Sequence, residues 1–525
     1  MHADLSRDTF RPDRHYAAVL VQQGRVQLDA DANEQAAIQL HRARTTAADL
    51  IGRHGGPRGA TGFEVGFLGG SRELDDLSIG AGRYYVDGIL LDAGRPEPGV
   101  PAGEDTAEDG DSPAAVPATW TYWDQPDGHR DPERPGDRLP TQFPYLAYVK
   151  VWERAVTAAE DPLLREVALG SAMPDTAARL RTVWQVLPLP GAQLELEDGA
   201  TKDLIRPAFE RWAAAQAPTA RMAARSERPE HADEDPCPVG PDARYRGPEN
   251  QLYRVEIHEG GPAKDATFKW SRENGSVTFP VDELDGTWAE LATLGSDDKL
   301  GLSVGDQVEF VDTAYTSRGE PLPLLRIEEV DLPGRRVRLS GEPDPSVGRR
   351  PELHPYLRRW DHRSGSRHGG GAGRGKQAAA QLRGGAVRIE EGAWLHLEDG
   401  VLVYFEPGRT YRSGDFWTVA ARTATGSVEW PTDAARRPLL QSPKGIEVHY
   451  APLAWVLSEG SVADLRMTFA PLAAVIPAAS EEELAAEAEA EAEAVAAEAK
   501  AAKTAGAAGS GGRTAGQDDE GQPEN

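Results

Sequence analysis

The sequence predicts a mainly β, multi-domain protein built from small sandwiches or barrels, opened by a short strand-and-helix attachment segment and closed by an acidic, helical to disordered tail. Three observations carry that expectation. Asp-Gly dipeptides stand between β-forming runs at Asp87-Gly88 in "RYYVDGILLD" and Asp399-Gly400 in "WLHLEDGVLVYF", the strongest short-range hairpin signal a sequence offers. Short runs rich in β-branched and aromatic residues recur along the body between turn formers, which argues against a parallel sheet with crossover helices. Beyond Ser480 the composition changes to alanine, glutamate and glycine with almost no large apolar side chain.

Taken in order, "HYAAVLVQQG" is rich in β formers and reads as a short strand leading into a turn at Gly24. The stretch "VQQGRVQLDADANEQ" follows, in which Asp29, Asp31 and Asn33 alternate like the start of a calcium loop. That loop needs glycine at its sixth position and a bidentate glutamate at its twelfth. Glu34 and Leu40 stand there instead. Asp31 with Glu34 has the spacing of an acidic capping box, so a helix is expected to begin near Ala32. Ala36, Leu40, Ala43, Ala47 and Leu50 then fall on one seam, and Gly52 ends the helix. The seam is shorter than the three or four heptads, roughly, of a coiled coil, and its small residues favour close approach to a neighbouring surface. It reads as a docking helix.

Further strands are expected at "YLAYVKVWERAV", "RTVWQVLPL", "QLYRVEIHEG", "GDQVEFVD", "LLRIEEVD" and "RRVRLSG", and a helix over "LIRPAFERWAAAQ" with Pro207 tolerated only near its first turn. Composition shifts divide the chain into an attachment segment and helix at 1–55, a first β-rich domain at 56–200 with an acidic Pro/Gly insertion at 94–118, and a helical and loop insertion at 201–249. A barrel-like β-rich domain at 250–350, a basic Gly-rich loop at 351–384, a third β-rich segment at 385–479 and an acidic low-complexity tail at 480–525 complete it. In the tail Ser480 and Glu483 form another capping box before a frayed, glutamate-rich helix.

With 525 residues there is material for about three cores. A formal charge of −28 excludes a nucleic-acid partner and repels anionic membrane surfaces. No apolar run reaches the roughly eighteen residues of a membrane helix, so no membrane insertion is expected, and the start lacks a signal-peptide layout. A cytoplasmic protein is therefore expected. Its lone cysteine, Cys237, agrees, ruling out an intrachain disulfide framework and a four-cysteine zinc site.

Candidate chemistry falls away on inspection. In "RHGGGAGRGKQ", Gly370, Gly375 and Lys376 have phosphate-loop spacing, but Gln377 replaces the metal-binding hydroxyl and no apolar strand precedes it. "HADEDPCP" gathers His231, Asp233, Asp235 and Cys237 without a second ligand pair. His354 and His362 lack helical ligand spacing. Most of the twelve tryptophans, such as Trp152, Trp184, Trp270, Trp394 and Trp417, lie in β-rich runs, where a large aromatic is usually core. Neither a nucleophile elbow nor an organised carboxylate pair is visible, so the chain is expected to be no enzyme and to need no cofactor or metal.

The segment "LSRDTFRPDRHYAAVLVQQGRVQLDADANEQ" resembles the opening of an uncharacterised family found among the components of phage-tail-like contractile injection systems and, more loosely, the N-terminal segments of phage baseplate and fibre proteins. Further matches run through "YLAYVKVWERAVTAAEDPLLREVALG", "TVWQV", "FKWSRENGSV", "HPYLRRWD" and "SGDFWTVAAR", from Asp4 to Trp455. The chain departs from that family's pattern at Ala32, where tryptophan is usual. The resemblance implies a structural, fibre-like or cage-like part of the baseplate near the spike, with other baseplate and spike subunits as partners. It also implies that Phe10, Tyr16, Gln22, Gln23, Gly24, Arg25, Asp29, Asp31, Asn33 and Gln35 form a partner-binding attachment segment, to which the helix seam adds Leu40. Self-association is expected, a trimer being favoured, since tail-associated fibres resolve symmetry in this way, and the subunit would be assembled into a particle. The competing expectation is a tail-spike protein that binds or cleaves glycans through its tryptophans and carboxylates.

Overall fold

Twelve-residue strands at Tyr145–Val156 and Arg179–Pro190 pair antiparallel along their whole length and form the backbone of the molecule. Val448–Ser458 adds to the other side of the first, and Ser461–Asp464 completes a four-stranded sheet. The free edge of Arg179–Pro190 is shielded by a side chain that imitates a strand. Gln125 accepts from the Val186 amide at 2.7 Å and donates to its carbonyl at 3.1 Å, which satisfies backbone groups that would otherwise template foreign pairing. The structure is a computed structural model and describes residues 2–470 apart from 71–72, 97–118, 171–173, 198, 227–243, 296–298, 364–381 and 459–460. The expected acidic insertion (apart from 94–96), the phosphate-loop look-alike, the His231–Cys237 cluster and the acidic tail lie outside the described residues.

The fold is mainly β, and the strands expected in the body after α1 form where the sequence placed them. Both Asp-Gly turns are present. Asp87 and Gly88 have φ of 46° and 79°, and Asp399 and Gly400 have 45° and 80°, the left-handed pair that a two-residue hairpin turn demands. Strands Thr278–Asp285, Trp288–Leu291, Gln307–Val311, Leu325–Asp331, Arg336–Leu339 and Tyr356–Trp360 close into a six-stranded barrel. Phe279, Ala289, Val308, Ile327, Val337 and Leu357 fill it. Beside it lies a six-stranded sheet in the order Leu382–Arg383, Ala386–Arg388, Thr267–Ser271, Gln251–Ile257, Phe416–Arg422, Ser427–Glu429.

Three helices occur among the described residues: α1 (Asp29–Ile51), α2 (Lys202–Ala215) and α3 (Thr313–Arg318). Helix α2 buries Ile205, Ala208 and Phe209 against Leu146, Leu189 and Trp455. Pro207 is its sixth residue, deeper than the first-turn position expected, and the helix continues through it because this apolar face compensates the missing amide. Helix α1 begins at Asp29, three residues before the expected start. Gly52 ends it as expected, its amide donating to the Ala48 carbonyl at 2.8 Å.

The middle of α1 rests on the Asp87-Gly88 turn. A Cβ at Gly88 would stand 2.1 Å from the Arg44 carbonyl oxygen, so both the turn geometry and the helix approach require glycine there. Arg44 also reaches Glu153 of the long hairpin at 2.5 Å. A parallel pairing of His54–Pro57 with Thr468–Phe469 then ties the chain just after α1 to the far end of the described body.

Candidate functional site: the N-terminal strap and helix

Residues 2–28 form a strap that starts inside the molecule and ends at α1. The His2 ring meets Glu256 at 2.8 Å, and the Asn274 side chain donates to the Ala3 carbonyl at 2.8 Å. Asp8 then pairs with Lys444 at 2.6 Å. From there the strap is laced to the first turns of α1. The Ser6 amide and hydroxyl donate to Asp29 at 2.9 and 2.6 Å, the Thr9 hydroxyl donates to Glu34 at 2.5 Å, and the Phe10 ring lies 5.7 Å from His41.

The expected strand through Tyr16–Gln22 is not formed: no sheet ladder includes it. Its β-forming residues lack a neighbouring strand, and the Val19 amide is taken by the Gln35 side chain at 2.7 Å. The turn at Gly24 is present, with φ 68° and the Arg25 amide donating to the Gln22 carbonyl at 3.3 Å. The expected capping arrangement shifts by one turn. Asp31 accepts from the Leu28 amide at 3.1 Å, reaching back from inside the helix, while Glu34 is spent on Thr9. Asp29, Asp31, Glu34 and Gln35 therefore hold backbone and hydroxyl groups, whereas Asn33 is exposed.

The other face of this assembly is bare. Helix α1 buries only Ala30 and Ile38 on its own protein. Ala36, Leu40, Ala43 and Leu50 are exposed, and only Ala47 of the seam is partly covered. On the strap Tyr16, Val21 and Leu28 are exposed, Leu20 is 82% exposed and Val26 is 84% exposed. Gln22, Gln23, Gly24 and Arg25 project beside them. The strap and α1 thus carry large apolar side chains that the protein's own body leaves uncovered. The strap's charge also differs from the rest of the chain, since residues 9–28 carry three arginines against one aspartate within a protein of net charge −28.

The inner anchor of the strap is an ionic cluster that sequence reading did not find. Glu309 accepts from Lys269 at 2.6 Å, Tyr315 at 2.7 Å and Trp360 at 3.1 Å, with Arg358 at 3.8 Å. Glu256 accepts from Arg254 at 2.5 Å and lies 3.2 Å from Lys269. Burial would raise both carboxyls. Lys269 and Arg358 nevertheless hold Glu309 at about 2, and Arg254 and Lys269 hold Glu256 well below the carboxylate range. Burial and the flanking Arg254 and Arg358 keep the His2 ring far below the ordinary histidine value, so it docks neutral. A cavity of about 120 Å³ adjoins these groups. Both carboxylates are saturated by donors and ionised, which suits them to holding the chain's start rather than to moving protons.

A signal for this cluster does exist. Arg254, Glu256 and His258 alternate along Gln251–Ile257 and its extension, so period two places them on one face.

Elsewhere the sequence candidates are absorbed by packing. Trp152, Trp184, Trp270 and Trp417 are buried. Trp394 is only partly buried, and Arg225 covers its face at 4.1 Å, as Arg95 covers Trp120 at 4.3 Å and Arg336 covers Trp288 at 5.4 Å. His362 is buried and donates to the Gly385 carbonyl at 2.8 Å, while His354 closes a short 3-10 turn. Among the described residues no three metal-ligating side chains converge.

A profile of a family of unknown function, DUF6519, matches residues 1–226 and 199–519. No curated protein and no solved structure matches the chain.

Proposed function

We propose that this chain, which belongs to the DUF6519 family of unknown function, is a structural subunit of a contractile-injection-type particle, seated near the baseplate and spike by its strap and α1. One observation carries the reading: the exposed apolar side chains between Tyr16 and Leu50 lie on a strap and helix that Asp29, Asp31, Glu34 and Gln35 already hold together. A preorganised apolar surface binds without the entropic cost of ordering a loose segment. The arginines of the strap add electrostatic selectivity for an acidic partner surface.

The test uses Leu20→Asp, Val26→Asp and Leu40→Asp in the full chain. These positions are exposed, so the fold is retained, as circular dichroism checks. The variants are expected to be lost from purified particles that hold the wild-type protein. Undiminished retention of the triple variant would overturn the reading.

A further inference from the structure

The long hairpin outruns its sheet. Val448 pairs with Trp152, so no third strand accompanies the pairing from Glu153↔Thr182 to Val156↔Arg179. This two-stranded arm ends in a tip whose described residues hold two capped turns. Two 3-10 turns, Pro162–Leu164 and Val167–Leu169, are capped by Asp161 on the Leu163 amide at 3.1 Å and by Glu166 on the Ala168 amide at 2.9 Å. The Glu166 amide donates to the Pro174 carbonyl at 2.9 Å and closes the tip.

On this framework Leu163 is 92% exposed, with Val167, Leu169 and Leu180 also exposed. Residues 157–178 carry four acids against one arginine, and with Glu160 buried the acids left at the tip are Asp161, Glu166 and Asp175. Of the cations beside the tip, Arg154 pairs with the buried Glu160 and Arg181 with Asp127 at 2.9 Å, while Arg179 is exposed and donates to the Ala177 carbonyl at 3.2 Å.

The strap is the complement of this tip. It shows Leu20, Val21 and Val26 with Arg11, Arg14 and Arg25, which make no ion pair among the described residues. We infer that the arm tip of one copy seats on the strap of a second copy, acid against arginine and apolar against apolar. Because the two surfaces are different patches, the contact is heterologous, and repetition gives a ring if the rotation closes and a chain of copies if it does not. The inference rests on the structural-subunit reading and names one of the partners.

Sedimentation of the full-length wild-type chain at micromolar concentrations is expected to show association beyond the dimer. Leu163→Asp with Val167→Asp in the arm, or Leu20→Asp with Val26→Asp in the strap, should each weaken association by about tenfold or more. Mixing the two variants is the decisive arm. One intact tip then meets one intact strap, and growth stops at a one-to-one dimer. A charge-reversed pair, Glu166→Lys with Asp175→Lys against Arg14→Glu with Arg25→Glu, should associate when mixed more strongly than either does alone.

A wild-type chain that stays monomeric overturns the inference, as does an arm variant that associates like wild type. Neither result touches retention on particles, so the two readings fail separately.

Discussion

The Asp29 carboxylate accepts both the amide and the hydroxyl of Ser6, at 2.9 and 2.6 Å. One side chain at the start of α1 thus fixes the course of a strap that came from the ionic cluster. An alternating-acid motif that looks made for a cation is spent on backbone. Asp29→Ala is expected to cost about 1–2 kcal/mol, near the value of two partly exposed hydrogen bonds. Its clearer signature is local: hydrogen exchange at residues 5–10 should accelerate, while strands such as Tyr145–Val156 keep their protection. Unchanged exchange at Ser6 would show that the strap is held by other contacts.

Glu309 concentrates three donors and the Arg358 guanidinium on one carboxylate in the interior. Removing one member of such a cluster leaves its cationic partners buried without compensation. Glu309→Gln is expected to destabilise the protein by about 3–5 kcal/mol. Glu329→Gln, which touches Arg338 at 3.2 Å on the barrel exterior, should stay within about 0.5 kcal/mol of wild type. Denaturant unfolding of both variants checks the contrast, and equal effects would contradict the assigned weights.

Acid should weaken the fold through its buried histidines. Burial, with Lys269 nearby, pushes His258 down to about 4, and burial pushes His362 down to about 4 as well. Each folded value lies below the ordinary 6.5, so the unfolded chain binds protons first as pH falls. Stability is full above about pH 6.5 and drops by up to ~1.4 kcal/mol per pH unit per histidine down to about 4. Asp415 opposes this. Burial raises it to about 6 against Arg412, so the folded form takes that proton first and gains stability as pH falls below about 6. The net expectation is a decline between pH 6.5 and 4 in the urea midpoint, made shallower by His362→Asn. A midpoint that is flat from pH 7 to 5 would contradict it.

The sequence made local turn chemistry legible, and long-range consequences less so. Asp87-Gly88 and Asp399-Gly400 specify left-handed turns by themselves, and Tyr145–Val156 announces a strand by composition. Tyr16–Gln22 has the same composition but no ladder, because pairing depends on a neighbouring strand and not on the segment. Asp31 carries the signature of a helix start, but its carboxylate accepts from the Leu28 amide instead, and the helix starts at Asp29. The predicted seam of α1 exists as a stripe, yet it faces away from its own protein while Ala30 and Ile38 turn inward. Of the ionic cluster only the alternation of Arg254, Glu256 and His258 along one strand was legible. His2, Lys269, Glu309 and Arg358 come from four separated segments, and only folding brings them within reach of Glu256 and of one another.

Hydrogen exchange compared between the isolated chain and the chain assembled in particles tests the attachment surface most directly. Residues 16–28 and 36–50 should gain strong protection on assembly while the barrel strands stay as they are. Assembly that leaves those two stretches exchanging as in the free protein would contradict the account.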